Sequence, residues 1–241
     1  MYFVDNRTDR AEDVDATFRV TGKAPELWYA ETGTSKPVSY SIAGGRTTVP
    51  LHLEPWGTVF VVFQRSTGKT SFALPKPTEV PLAIPGPWTI AFQPGRGAPP
   101  TATFDQLTSW SDNTDAGIKY FSGTGTYTNT IQVLADSLAK DAHLWLDLGD
   151  VKNLAQVTVN GKDMGVVWHA PYRIDVTAAL KPGANQVSVK VINAWVNRLI
   201  GDQQPGATTY TFADVKPYRA NSPLLPSGLL GPVRLVRVQT R

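Results

Sequence analysis

The chain has 241 residues, of which 41% are hydrophobic and 18% charged, a balance that excludes disorder and leaves room for one large or two modest cores. Its 23 basic and 20 acidic side chains give a formal net charge of +3, too small and too scattered for a nucleic-acid footprint. The absence of cysteine excludes disulfides, thiolate metal sites and a cysteine nucleophile, and no run of about 18 apolar residues could cross a membrane as a helix.

The opening Met1-Tyr-Phe-Val-Asp-Asn-Arg-Thr8 lacks the basic start, apolar run and small-residue cleavage site of a secretory leader, and reads as a strand. Residues 1–66 alternate apolar and polar at period two, which predicts a small all-β domain. Val14, Ala16, Phe18 and Val20 share one face there, and Val49, Leu51 and Leu53 repeat the pattern. Gly44-Gly45 suits a tight hairpin, and Thr58 to Phe63, apolar on both faces, suits a central strand. Residues 67–87 carry Pro75, Pro77, Pro81, Pro85 and Pro87, which cannot supply ladder donors, and are expected to be a stiff linker.

Residues 88–241 resume the strand signals: Trp88 to Phe92, Gly117 to Val133, Leu144 to Leu148, Arg173 to Val176, Gln186 to Ile192 and Val233 to Val238. The plainest local signal is Gln156 to Val159, then Asn160-Gly161, then Lys162 to Trp168, a hairpin on a type I′ turn. Thr177 to Leu180 is expected to make one helical turn before Pro182-Gly183. The predicted fold class is therefore all-β: a small antiparallel β-sandwich followed by a jelly-roll β-sandwich.

Little in the chain points to self-contained chemistry. Glycoside hydrolysis usually needs two carboxyl groups flanking one bond, yet the glutamates Glu12, Glu26, Glu31, Glu54 and Glu79 all fall in the first third, where solvated sheet and loop charges are the expectation. His52, His143 and His169 make no ligand-spaced pair, so a zinc site is not expected. Tryptophan stands at 28, 56, 88, 110, 145, 168 and 195, and most of the seven are assigned to the core. The alternative use is stacking on the apolar face of a sugar. Trp145 is predicted to project outward beside His143 and Asp147, and Trp168-His169 to lie in a loop, where binding residues gather. After the Gln186 to Ile192 strand, Asn193, Trp195, Asn197, Arg198 and Asp202 crowd polar and aromatic groups into ten residues. Arg198 and Asp202 can pair across a turn while Trp195 packs on the sheet edge. Alternatively, Asn197 and Arg198 can donate outward, to sugar hydroxyls or to a neighbouring domain's carboxylates.

Several stretches resemble known families. Leu144-Trp-Leu-Asp-Leu-Gly149, Val157-Thr-Val-Asn-Gly161, Gly165-Val-Val-Trp168, Pro171-Tyr-Arg-Ile-Asp-Val-Thr177, Leu180-Lys-Pro-Gly-Ala-Asn185 and the closing Ser227-Gly-Leu-Leu-Gly-Pro-Val-Arg-Leu235 resemble the galactose-binding-like jelly roll of many glycoside hydrolases. Gly117-Ile-Lys-Tyr-Phe-Ser-Gly-Thr-Gly-Thr-Tyr127 and Asn193-Ala-Trp-Val-Asn-Arg-Leu-Ile-Gly-Asp202 resemble family 106 α-L-rhamnosidases. Tyr2-Phe-Val-Asp-Asn6, Phe18-Arg-Val20 and Pro25-Glu-Leu-Trp28 resemble the same family.

The resemblance implies the C-terminal part of a larger bacterial enzyme whose acid/base pair and catalytic calcium sit in an upstream barrel, so no catalytic residue is carried over. The implied role is non-catalytic bracing of that barrel, with Trp168, His169, Trp195, Asn197, Arg198 and Asp202 as carbohydrate- or barrel-facing candidates. It implies as partners the barrel and a rhamnose-containing plant or bacterial glycan, with no nucleic acid and no membrane, and a periplasmic or secreted parent. No cofactor is required on this reading, with a structural calcium left open. An autonomous carbohydrate-binding module and a complete small glycosidase are the alternatives.

Overall fold

A computed structural model describes residues 1–138 and 142–239. The chain divides into two units, Met1–Lys76 and Pro77–Arg241.

The first unit holds β1 (Tyr2–Asp5), β2 (Glu12–Phe18), β3 (Lys23–Tyr29), β4 (Thr34–Pro37), β5 (Tyr40–Ala43), β6 (Arg46–Leu53), β7 (Thr58–Ser66) and β8 (Ser71–Phe72). They form two antiparallel sheets, ordered β1-β7-β3-β4 and β2-β6-β5-β8. Period-two alternation turns Val49, Leu51 and Leu53 of β6 and Val59, Val61 and Phe63 of β7 into one core with Phe18 and Tyr40. β7 lies between β1 and β3, as its two-faced apolar run predicts. Gly44 and Gly45, with φ of 56° and 74°, make the two-residue turn between Ala43 and its partner Arg46. Val14, on the edge strand β2, stays 40% exposed although its face of the strand is apolar. Buried Asn6 closes the turn after β1, donating from Nδ2 to the Arg10 carbonyl at 2.7 Å and the Glu54 carbonyl at 2.9 Å.

The proline-rich stretch is not a bare linker. Ser71–Phe72 pairs with β5, and β9 (Thr78–Ala83) pairs along its length with the last strand of the second unit. β9 is an edge strand, where a proline such as Pro81, opposite Val236, can leave its missing donor on the unpaired side.

The second unit adds β10 (Trp88–Phe92), β11 (Thr101–Phe104), α1 (Ala116–Lys119), β12 (Thr124–Val133), β13 (Ala142–Asp147), β14 (Asp150–Lys152), β15 (Leu154–Val159), β16 (Lys162–Val167), β17 (Arg173–Asp175), β18 (Gly183–Ile192), α2 (Val196–Gly201), β19 (Gly228–Gly231) and β20 (Arg234–Gln239). A sheet ordered β11-β10-β12-β18-β15-β16 and a sheet ordered β17-β13-β20-β9 contribute to one core, with Ile90, Val157, Val189 and Val191 from the first and Leu144, Leu146 and Leu235 from the second. The β15–β16 hairpin turns on Asn160 (φ 51°) and Gly161 (φ 80°), as the Asn-Gly signal requires. Thr177–Ala179 is a single 3-10 turn.

One end of this core is aromatic. Trp110 stacks on Tyr127 at 6.2 Å and meets Phe92 and Phe121 edge-on. It fits because two neighbours have no side chain: a Cβ on Gly125 would lie 2.6 Å from the indole, and one on Gly228 would lie 2.7 Å from it. The Tyr127 hydroxyl accepts from the Leu229 N–H at 3.0 Å, and burial raises its pKa above the ordinary phenol value.

Three further expectations change. Gly117 to Val133 is not one strand, because Asp115 accepts from the Gly117 and Ile118 N–H groups and caps the short helix α1 before β12 begins. The segment after β18 is not all loop, since it winds into α2. Most tryptophans are not core: Trp88 and Trp110 are buried and Trp145 half-buried, whereas Trp28, Trp56, Trp168 and Trp195 are exposed.

Candidate functional site

Strand register collects the candidate residues at one end of the six-stranded sheet. Val167 of β16 pairs with Ala155, Leu154 pairs with Ile192, Ile192 pairs with Thr124, and Gly125 pairs with Phe92. The loops that leave these strand ends therefore lie side by side: residues 168–172, 193–195 with α2, 121–123, and 93–100.

Asparagine side chains pin these loops. Asn193 donates from Nδ2 to the Phe121 carbonyl and accepts at Oδ1 from the Gly123 N–H, both at 2.9 Å. Asn153 Oδ1 accepts from the Ala194 N–H at 3.0 Å. Ser122 Oγ donates to the Ala194 carbonyl at 2.9 Å and accepts from the Arg198 N–H at 3.2 Å. The two motifs that resemble the rhamnosidases, 117–127 and 193–202, are thus partners in one hydrogen-bonded knot.

The candidates divide into two groups. Asn197 and Arg198 are buried. Asn197 treats Leu225 as a ladder partner, donating to its carbonyl at 2.7 Å and accepting from its N–H at 2.8 Å. Arg198 Nε donates to Asp202 Oδ1 at 2.9 Å, an i,i+4 pair whose side chains are 5% and 2% exposed. Asp202 also accepts from the N–H groups of Tyr210 and Thr211 and from the Thr211 hydroxyl. Burial by itself would raise its pKa, but those hydrogen bonds and the Arg198 charge hold it below the ordinary carboxylate range. Paired this way, the charges hold residues 202–211 against α2.

The second group lies nearer the surface, with the two tryptophans exposed and His169 half-buried. Trp168 is 64% exposed, its ring edge-on to His169 at 4.8 Å. His169 places Nδ1 2.7 Å from the Ala170 carbonyl, where a protonated Nδ1 donates. Trp195 is 46% exposed, with the Arg96 guanidinium 4.4 Å over its ring. Sequence reasoning named Trp195 but missed Arg96, Tyr120 and Tyr210, which lie close to α2 only through the fold. A lone Gly-Arg-Gly carries no signal that would have found Arg96.

Among the described residues, none of three cavities at this end gathers a carboxylate pair of the kind glycoside hydrolysis uses. The cavity between Asn153, Asn193 and Leu225 and the cup around Arg198 hold no acid, and the small cavity beside Thr211 holds Asp202 alone. Among the described residues no group of three or more His, Cys, Asp or Glu is placed to hold a metal ion. Glu12, Glu26 and Glu79 form ion pairs with Arg10, Arg65 and Arg173.

An all-β pair of sandwiches, the second a jelly roll with aromatic side chains on its loop end, is an architecture found in glycoside hydrolases, and the comparisons point to the same class. A family model described as alpha-L-rhamnosidase, Glyco_hydro_106, matches residues 1–42, and one described as a glycosyl hydrolase 2 galactose-binding domain-like module matches residues 109–222. The structure of a rhamnosidase from Novosphingobium sp. PP1Y superposes with a TM-score of 0.93 at 47% identity, covering 98% of this chain and 22% of that one. A protein of Formosa agariphila, named as a candidate beta-glucuronidase, is 37% identical over 198 residues, 72% of this chain and 17% of its own length. The chain is similar to a region of the family 106 α-L-rhamnosidases, one that includes a galactose-binding-like domain. It spans about a fifth of the length of these relatives.

Proposed function

We propose that this chain is a non-catalytic, C-terminal accessory region of a larger bacterial α-L-rhamnosidase-type glycoside hydrolase, and that it braces the enzyme's catalytic barrel. The observation that carries the reading is the match of 98% of the chain, both units together, to 22% of a rhamnosidase at 47% identity. A module borrowed among unrelated enzymes would be expected to match over one unit.

The outer part of the loop end, exposed Trp168 and Trp195 with half-buried His169, is the surface that faces the barrel or its glycan. Asn197, Arg198 and Asp202 shape that surface from within. The partners are the barrel and a rhamnose-containing plant or bacterial glycan, in a periplasmic or secreted enzyme, with neither nucleic acid nor membrane involved. The region needs no cofactor for this role.

The test is hydrolysis of an aryl α-L-rhamnoside by the 241-residue chain, alone and beside the longer enzyme. The chain alone should give no turnover above buffer. Measurable turnover abolished by changing one of Glu12, Glu26, Glu31, Glu54 or Glu79 would establish a complete small glycosidase instead. In the longer enzyme, Trp195→Ala should lower kcat/KM or loosen the region from the barrel. Unchanged kinetics and unchanged proteolytic stability there would remove the loop end from the interface.

A further inference from the structure

Arg198 satisfies only part of its guanidinium inside the fold. Nε is bound to Asp202, but no acceptor among the described residues is hydrogen-bonded to Nη1 or Nη2. Among the described residues, the side-chain atoms that are fully enclosed without a partner are Trp110 Nε1 and Arg237 Nε, so the two terminal nitrogens of Arg198 keep a solvent path. That path is a cup of about 290 Å³, with Arg198 in a wall completed by Gly97, Gly117, Tyr120, Gly201, Ala207 and Tyr210.

The wall is built around the arginine. A Cβ on Gly97 would lie 3.2 Å from Nη1, and one on Gly201 would lie 2.3 Å from Nη2. Glycine at both positions leaves room for the two terminal nitrogens. The guanidinium carbon sits 5.0 Å from the centre of the Tyr210 ring, a cation–π contact on that side. An arginine whose side chain is 5% exposed, bound at Nε and flanked by the Tyr210 ring, is left with two terminal donors and no acceptor. Such a fork matches a planar group with two oxygens.

We propose that the Arg198 cup binds a carboxylate, which Nη1 and Nη2 grip in bidentate fashion. Asp202 already balances the arginine's charge, so a monoanion fits better than a dianionic phosphate. The cup's volume is at the lower limit of ligand pockets, the size of one sugar ring, and Tyr120 offers an aromatic wall beside it. A uronic acid residue meets these demands, and the same grip could be supplied by an aspartate or glutamate side chain of another polypeptide segment. The shared chemistry is the carboxylate, and the experiment separates its sources.

The probes are sodium D-glucuronate, N-acetyl-L-glutamate amide as a mimic of a protein carboxylate, and L-rhamnose as a neutral sugar, titrated into the full chain at constant ionic strength. Two variants accompany the wild type. Arg198→Lys keeps the charge but loses the fork, and Ala207→Trp fills the cup from an exposed turn. Saturable glucuronate binding, at least tenfold tighter than rhamnose and weakened at least tenfold in both variants, is the expected result. Equal affinity for glucuronate and the glutamate mimic, with the same sensitivity to the variants, supports the carboxylate grip and assigns it to a polypeptide. The proposal is overturned if neither carboxylate binds, if rhamnose binds as well as glucuronate, or if Ala207→Trp, folded by circular dichroism, leaves binding intact. The Ala207→Trp arm decides the matter even where Arg198→Lys fails to fold.

Discussion

Replacing Asn197 by alanine should destabilise the second unit without the help of any ligand. The amide makes two good hydrogen bonds to Leu225, at 2.7 and 2.8 Å, and a longer one to Ser227 Oγ at 3.4 Å. At about 1 kcal/mol net for each good bond, the loss is about 2 kcal/mol. It stays below the full cost of orphaned polar groups because Leu225 is 46% exposed, and water can reach its N–H and carbonyl after the change. For a unit of this size, about 2 kcal/mol lowers Tm by roughly 4–8 °C. Differential scanning calorimetry of the 241-residue chain should show that drop in the transition of residues 77–241 and leave the transition of residues 1–76 in place. Asn197→Asp should be no milder, since it keeps the acceptor but sets a charge against the Leu225 carbonyl. A Tm shift under 1 °C for the alanine variant would mean that the amide holds nothing inside the unit, and would return it to the outward-facing candidates.

Further outcomes follow from the same geometry. Gly228→Ala should cost about 2–5 kcal/mol, combining left-handed strain at φ 95° with a Cβ 2.7 Å from Trp110, and an unchanged urea midpoint would refute the packing account. Asp202 and Asp175 both have pKa values below the ordinary carboxylate range, so their stabilisation is complete above about pH 4 and is lost as pH falls through the depressed values. Acid titration followed by tryptophan fluorescence should show this loss, and Asp202→Asn should flatten it. His52 has the opposite sign: hydrogen bonding to Asp13 raises its pKa, so its small contribution is present below about pH 6.5 and fades as pH rises, which His52→Gln should abolish. Trp168→Ala should leave the stability of the isolated chain unchanged within about 0.5 kcal/mol, as for an exposed side chain, and a large drop would show that the ring is a structural prop. Dialysis against EDTA should leave both calorimetric transitions in place, and a lower second transition restored by calcium would reveal a structural ion.

How far the fold could be read from the chain depended on the range of the interaction involved. Gly44-Gly45 and Asn160-Gly161 specify their hairpins because positive φ is a property of one or two residues, and each turn sets the register of the strands beside it. The alternation in β6 and the two-faced run in β7 predicted which residues would enter the core. The stretch 67–87 misled because prolines remove donors wherever they occur, while an edge strand needs donors on one side only. The tryptophans misled for a similar reason: hydrophobicity says that burial is favourable, but not whether a strand end will carry the ring beyond its sheet. Trp168 and Trp195 lie past the ends of β16 and β18.

The amino-acid sequence by itself determined the all-β class, the two hairpins, the jelly-roll motifs and the resemblance to family 106, because periodicity, turn chemistry and motif spacing are written within a few residues of one another. The direction in which each candidate faces was decided by tertiary structure alone. Asn197 finds its partner 28 positions away, and the Arg198 N–H finds Ser122 Oγ across 76. Only the folded chain brings Gly97, Tyr120 and Tyr210 around one guanidinium, since their grouping rests on the pairing of strands distant in sequence. A donor's availability depends on which acceptors come within about 3 Å of it, and such distances are fixed when the sheets assemble.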